Sequence, residues 1–207
     1  MNYLKSYISV VAFLAVFATL ATNVSSATRE LVKDTDYQQM GPKGTTNPEI
    51  LEFFNYGCPA CYRMENFTQK YKKNHKNTKF TLVPVGLNPS WKIYVKAYYL
   101  GSLLKVLNKS HTAMFHLLHV EKKIIKNDKE LKAFFMMLGV DSSKYDKANK
   151  SFALNAQIRK SKQLARKYRI AGIPTFVANE KYKLDNQALG TTEMIEHALN
   201  ELTQLTN

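Results

Sequence analysis

The chain has only two cysteines in 207 residues, and they stand together as Cys58-Pro59-Ala60-Cys61. A structural zinc site usually takes four ligands, from two such pairs or from a Cys pair with a His pair. There is no second Cys pair, and His75, His111, His116, His119 and His197 lack finger spacing, so no metal is expected. A disulfide-stapled scaffold is excluded as well, because it needs several bridges. A bridge between Cys58 and Cys61 closes so short a loop that it removes little entropy from the unfolded chain. Stability must come from packing, which the 45% hydrophobic content permits. A redox pair, one thiolate attacking and the other resolving, is therefore preferred over zinc or an inert local bridge.

Acidic residues are also scarce: 16 Asp and Glu face 30 Lys and Arg, for a net charge of +14. Basic residues gather at Lys70–Lys79, Lys122–Lys132 and Arg159–Arg169. Such runs can contact nucleic acid or anionic membranes, but a solvated basic face is the simpler reading, and no nucleic-acid partner is expected. Long hydrophobic runs are missing beyond the first 27 residues. The run from Ile8 to Ala21 is too short for a comfortable membrane span, and Lys5 is the only charge before Arg29. With Ser25-Ser26-Ala27 behind it, this stretch reads as a secretory signal peptide, residues 1–27, cleaved after Ala27 or, as second choice, after Ala21. An uncleaved anchor is the alternative. No cysteine lies near the cleavage site, which argues against a lipoprotein. Removing 27 of 207 residues leaves 180, enough for one domain, residues 28–207, exported and without stable membrane insertion.

Repeats and low-complexity segments are absent too. What is present is a clear order of elements. A short strand is expected near Tyr37 and a buried strand over 49–56. Helical spacing of Ala60, Met64, Phe67 and Tyr71 follows the cysteine motif. Phe80 to Leu87 reads as a strand that Pro84 makes an edge or kinks. Residues 89–168 read as almost wholly helical, with a capping box at Asn127-Asp128-Lys129-Glu130, a stop at Gly139, and a longer helix from Asp141 to about Tyr168. His111, His116 and His119 fall here and read as ordinary helix residues. Thr175–Ala178 and Tyr182–Leu184 flank a turn at Asn179-Glu180, and a last helix runs from about Thr192 to Leu205. The fold class is α/β, with a helical insertion splitting the sheet domain. Cys58 would lie at a helix N-terminus, where free N–H groups and the macrodipole favour a thiolate. It is expected to be the exposed nucleophile, with Cys61 buried and resolving.

Three segments carry a family resemblance: Glu52-Phe53-Phe54-Asn55-Tyr56-Gly57-Cys58-Pro59-Ala60-Cys61-Tyr62, Gly172-Ile173-Pro174-Thr175-Phe176, and the helical block between them. Together they make the chain resemble the DsbA family of thiol–disulfide oxidoreductases over essentially all of residues 30–207. The resemblance implies a thioredoxin-like fold, about 28–88 and 169–207, split by a helical insertion of about 89–168. It implies Cys58 and Cys61 as the catalytic pair, tuned by Pro59, Ala60 and the buried acid Glu52. It also implies a cis-proline loop of Ile173, Pro174 and Thr175 that binds substrate as an added strand. A trans proline at 174 and a solvent-facing Glu52 are the alternatives that the residues alone leave open. The implied function is a periplasmic dithiol oxidase that needs no bound cofactor. Its implied partners are unfolded exported substrate proteins and a membrane quinone-linked reoxidase of the DsbB type.

Two departures stand out. Several DsbA proteins carry histidine where this chain has Ala60, and the strand around Leu82 lacks a lysine to pair with Glu52. An isomerase or reductase is the redox alternative, disfavoured because only about 20 mature residues precede the Glu52 strand, too few for an isomerase's dimerisation domain. A peptide-binding, chaperone-like module is the alternative of another class.

Overall fold

The structure is a computed structural model that describes residues 28–205. The expected signal peptide, residues 1–27, lies outside the described residues. A five-stranded sheet organises the molecule, in the order β1 (Tyr37–Gln39), β5 (Tyr182–Leu184), β4 (Thr175–Ala178), β2 (Glu49–Phe54), β3 (Lys79–Pro84). Only β2 and β3 run parallel; the other neighbours are antiparallel. β2 has neighbours on both sides and both faces covered, so all six of its residues are buried, as its near-continuous apolar run requires. β3 is an edge strand, which is where Pro84 is tolerated. β4 and β5 form the expected hairpin. Its turn residues Asn179 and Glu180 both take positive φ, +50° and +54°, the turn geometry that matches strand twist.

Alternation along β2 sends Ile50, Glu52 and Phe54 to one face and Leu51 and Phe53 to the other. The first face is covered by α1 (Pro59–Asn74) and α8 (Thr192–Gln204) at its Ile50 end, and by the helical block at its Phe54 end. The second face packs Leu51, Phe53, Val83 and Val177 against Tyr168, beyond the end of α6 (Phe152–Lys167). Glu52 is thus a carboxyl group set between two apolar clusters.

The chain between β3 and β4 is helical: a 3-10 turn at Pro89–Trp91, then α2 (Lys92–Leu103), α3 (Leu107–His119), α4 (Asp128–Met137), α5 (Ser142–Asn149) and α6. The start of α4 is capped as its sequence indicates. Asn127 accepts from the Glu130 N–H at 3.0 Å while the Glu130 carboxylate accepts from the Lys126 N–H at 2.7 Å. Gly139, at φ +87°, ends that helical turn. The single long helix expected from Asp141 to Tyr168 is two helices instead. Lys150 closes α5, and Ser151 takes an extended backbone and caps α6 by accepting from the Leu154 N–H. A serine cap satisfies a donor that a continuous helix would have bonded differently, so local side-chain bonding overrides the helical periodicity. A short helix α7 (Asn186–Leu189), capped by Asp185, links β5 to α8. Among the described residues no helix is long and apolar enough to cross a membrane.

Candidate active site

The site is built where β2 ends and α1 begins. Asn55, fully buried, holds this corner. Its amide donates to the carbonyls of Val85 (2.8 Å) and Trp91 (3.2 Å), its side-chain oxygen accepts from the Gly57 N–H (2.9 Å), and its carbonyl accepts from the Cys58 N–H (3.1 Å). Gly57 is required here, because a Cβ would fall 2.8 Å from the Trp91 indole nitrogen. Cys58 then caps α1 in an extended conformation, with Pro59 opening the helix, where its missing N–H costs nothing.

The two sulfurs are free thiols, and their surroundings differ. The Cys58 sulfur accepts from the Cys61 N–H at 3.4 Å and lies 3.5 Å from the Ile173 carbonyl oxygen. Its pKa is pushed down to about 6, first by the Cys61 thiol, then by the N–H groups of Cys61 and Ala60 and the positive charge of Arg63, against the opposing effect of burial. The pKa of Cys61 is pushed far up, mainly by burial, then by the Cys58 sulfur. The expectation of an exposed Cys58 needs correction: it is 5% exposed against 1% for Cys61. Ile173 packs on the same cluster.

Ile173–Pro174 is a cis peptide. The loop is braced from two sides. The Thr175 hydroxyl donates to the Gly172 carbonyl at 2.8 Å, and the Asn186 amide of α7 donates to the Pro174 carbonyl at 3.0 Å. Ala60, Ile173, Pro174 and Thr175 all line one groove of about 820 Å³, which β5 and α8 line as well.

Behind the cysteines, Glu52 is 2% exposed, so it does not face water. Its carboxylate accepts from the Thr68 hydroxyl at 2.8 Å. Burial raises its pKa to about 8, and the Thr68 bond and the charge of Lys72 only partly oppose this. Its β3 neighbour in register is Leu82, and the cation whose charge helps it, Lys72, comes from α1 instead.

The residues named from sequence gather at one corner: Pro59, Ala60, Ile173, Pro174 and Thr175 around the buried Cys58 and Cys61, and Glu52 beneath. Three kinds of residue join them without having been indicated by the sequence. Asn55 and Asn186 hold the corner and the loop through distant partners. Arg63 stands out from the other cations only by its place beside Cys58. The histidines of α3 read as ordinary in sequence, yet His111, Phe115 and His119, four residues apart, form one face over the corner. His119 Nε2 lies 2.7 Å from the Tyr56 carbonyl and its ring stacks on Tyr62. His111 bridges the Tyr56 hydroxyl (2.8 Å) and the Glu65 carboxylate (3.1 Å). The i, i+4, i+8 spacing of these three residues is the signal that could have found them.

The family model described as DSBA-like thioredoxin domain matches residues 93–199, which includes the helical block and the cis-proline loop. The thiol:disulfide interchange protein DsbA of Burkholderia cepacia is 31% identical over 159 residues, covering 74% of this chain and 75% of that protein. The chain belongs to the DsbA family. The DsbA of Azotobacter vinelandii is 33% identical over 146 residues, covering 70% of this chain and 68% of its own. Among solved structures, Pseudomonas aeruginosa DsbA superposes with a TM-score of 0.77 at 26% identity, covering 84% of this chain and 93% of that one. Cys58 and Cys61 lie N-terminal to the span that the family model matches, in the corner described above. This DsbA-family protein is a thiol–disulfide oxidoreductase.

Proposed function

We propose that the protein works in the periplasm as a dithiol oxidase in which Cys58 exchanges with substrate and Cys61 resolves. The observation that carries this is the opposition of the two sulfurs: Cys58, its pKa near 6, lies against the carbonyl of Ile173 in the cis-proline loop, and Cys61, its pKa driven up, is the more deeply buried.

A substrate thiolate attacks Cys58 of the oxidised pair. The S–S bond breaks, and its electron pair goes to Cys61, which needs a proton. Glu52, with a pKa near 8, is still largely protonated at neutral pH and supplies it. A second substrate thiolate then attacks the substrate sulfur of the mixed disulfide and releases Cys58 as a stabilised thiolate. The substrate leaves with a disulfide, and its two electrons remain on the enzyme as a dithiol. A low leaving-group pKa at Cys58 speeds release and favours the reduced enzyme, which makes the couple oxidising. Ile173, Pro174 and Thr175 hold the substrate segment as an added strand, while Pro59 and Ala60 set the helix start. A quinone-linked membrane reoxidase of the DsbB type restores the disulfide. The residues before 28 act as the export signal.

Equilibration of the purified protein against glutathione tests the direction. An oxidase should show a potential above the roughly −200 mV region of the endoplasmic-reticulum poise. A value near the roughly −270 mV of thioredoxin would make the protein a reductase and overturn the proposal.

A further inference from the structure

The groove lined by Ala60 and the cis-proline loop, next to Cys58, carries a charge pattern that thiol exchange does not itself require. Met64, Ile170 and Ile195 give it apolar surface. Three cations line it: Arg63 from α1, Arg169 just beyond α6, and Lys183 from β5. One acid lines it, Asp185, and that carboxylate is engaged as the cap of α7, accepting from the N–H groups of Gln187 and Ala188 at 3.0 Å each. Among the described residues no carboxylate forms an ion pair with Arg63, Arg169 or Lys183, whereas the neighbouring Lys167 is paired with Glu180 at 2.6 Å. Arg63 is also close enough to Cys58 to help lower its pKa.

We propose that this groove selects reduced substrate segments in which acidic residues flank the reacting cysteine. The inference rests on the oxidase proposal and names its preferred substrate class. A segment added along the cis-proline loop sends alternate side chains to one side, where they meet the groove. One-signed charge lining a cleft concentrates oppositely charged partners and raises their encounter rate. Acidic neighbours also make a substrate thiol harder to ionise in solution. Cations beside Cys58 offset that handicap at the moment of attack.

Matched dithiol peptides test this, differing only in whether Asp, Asn or Lys flanks the first cysteine. Each peptide's rate with the oxidised enzyme is divided by its rate with hydroxyethyl disulfide, which removes differences in the peptide thiol itself. The acidic peptide should lead the neutral one by roughly fivefold at low ionic strength, with the Lys peptide slowest. The lead should vanish at about 1 M salt, where the Debye length falls to about 3 Å. Combined Arg63→Gln, Arg169→Gln and Lys183→Gln should erase it at low salt, and each single variant should reduce it should the triple variant fail to fold. Equal normalised rates for acidic and neutral peptides, while both are oxidised, overturn the charge inference and leave the oxidase proposal standing. An acidic preference that survives the substitutions overturns the residue assignment. Failure to oxidise any peptide overturns both.

Discussion

Cys58 and Cys61 carry the same functional group and sit one helical turn apart, yet the fold gives them opposite environments. On the groove side, Cys58 occupies a helix cap where N–H groups point at its sulfur and Arg63 adds positive charge. On the sheet side, Cys61 faces the interior, where Glu52 is close enough to raise its pKa further. Exposure does not separate them, since both are buried. What separates them is what each sulfur meets: the Cys61 thiol and the N–H groups of Cys61 and Ala60 favour a Cys58 thiolate, whereas burial dominates at Cys61. A helix start can polarise a thiol that water hardly touches, and a position three residues later inherits none of that help.

The sharpest break of this comparison is to remove one sulfur at a time. Cys58→Ser should abolish oxidation of a reduced model protein, whereas Cys61→Ala should accumulate mixed disulfides on Cys58, read by mass spectrometry of the alkylated protein. If Cys58→Ala traps substrate as well as Cys61→Ala does, Cys58 is not the exchanging thiol.

The next effect comes from the interior. Glu52 has a folded pKa near 8 against an ordinary 4.5, so between those values the unfolded chain has released a proton that the folded chain keeps. Its contribution is therefore fully present below about pH 4.5 and is lost as pH rises toward 8. Stability of the oxidised enzyme, measured by denaturant melts, should fall over that range by on the order of a few kcal/mol, and Glu52→Gln should flatten the slope. In the reduced enzyme Cys58 works the other way. Its folded pKa is depressed from 9.0 to about 6, so its contribution is present above pH 9 and is lost as pH falls through 6. The reduced form should gain on the oxidised form as pH rises from 6 to 9. Identical pH profiles for the two forms would contradict a depressed Cys58 pKa.

The smallest change is at Ala60, whose side chain offers Cys58 no donor. Ala60→His adds one beside a thiolate, worth roughly 1 kcal/mol at such a site. For a two-electron couple that corresponds to roughly 20 mV toward a more oxidising potential. Glutathione equilibration of both proteins checks it, and an unchanged potential would show that other donors already satisfy the sulfur.

The legible part of the site is the part written in local sequence. The cysteine spacing, the Glu-Phe-Phe strand before it and the Ile-Pro-Thr segment before β4 each have a local pattern. The illegible part depends on contacts between distant segments. Asn55 matters because Val85 and Trp91 come to it, and Asn186 because Pro174 does. The spacing of His111 and His119 puts them on one helical face, but that their partner is Tyr56 follows only from the tertiary contact. The charge of Lys72 acts on Glu52 from α1, where a search along β3 cannot find it. The split between α5 and α6 is hidden in the sequence because a single serine cap at Ser151 outweighs a continuous helical pattern.

Above all, the fold gives one cysteine, and only one, a thiolate at neutral pH. A pH titration of the reduced enzyme, following the ultraviolet absorbance of thiolate with Cys58→Ser as the blank, tests this most directly. The expected result is a single transition with a midpoint near 6 that belongs to Cys58, and no second thiol transition before the protein unfolds in alkali. A midpoint near the ordinary cysteine value of about 8.5, or two thiols ionising together, would contradict it.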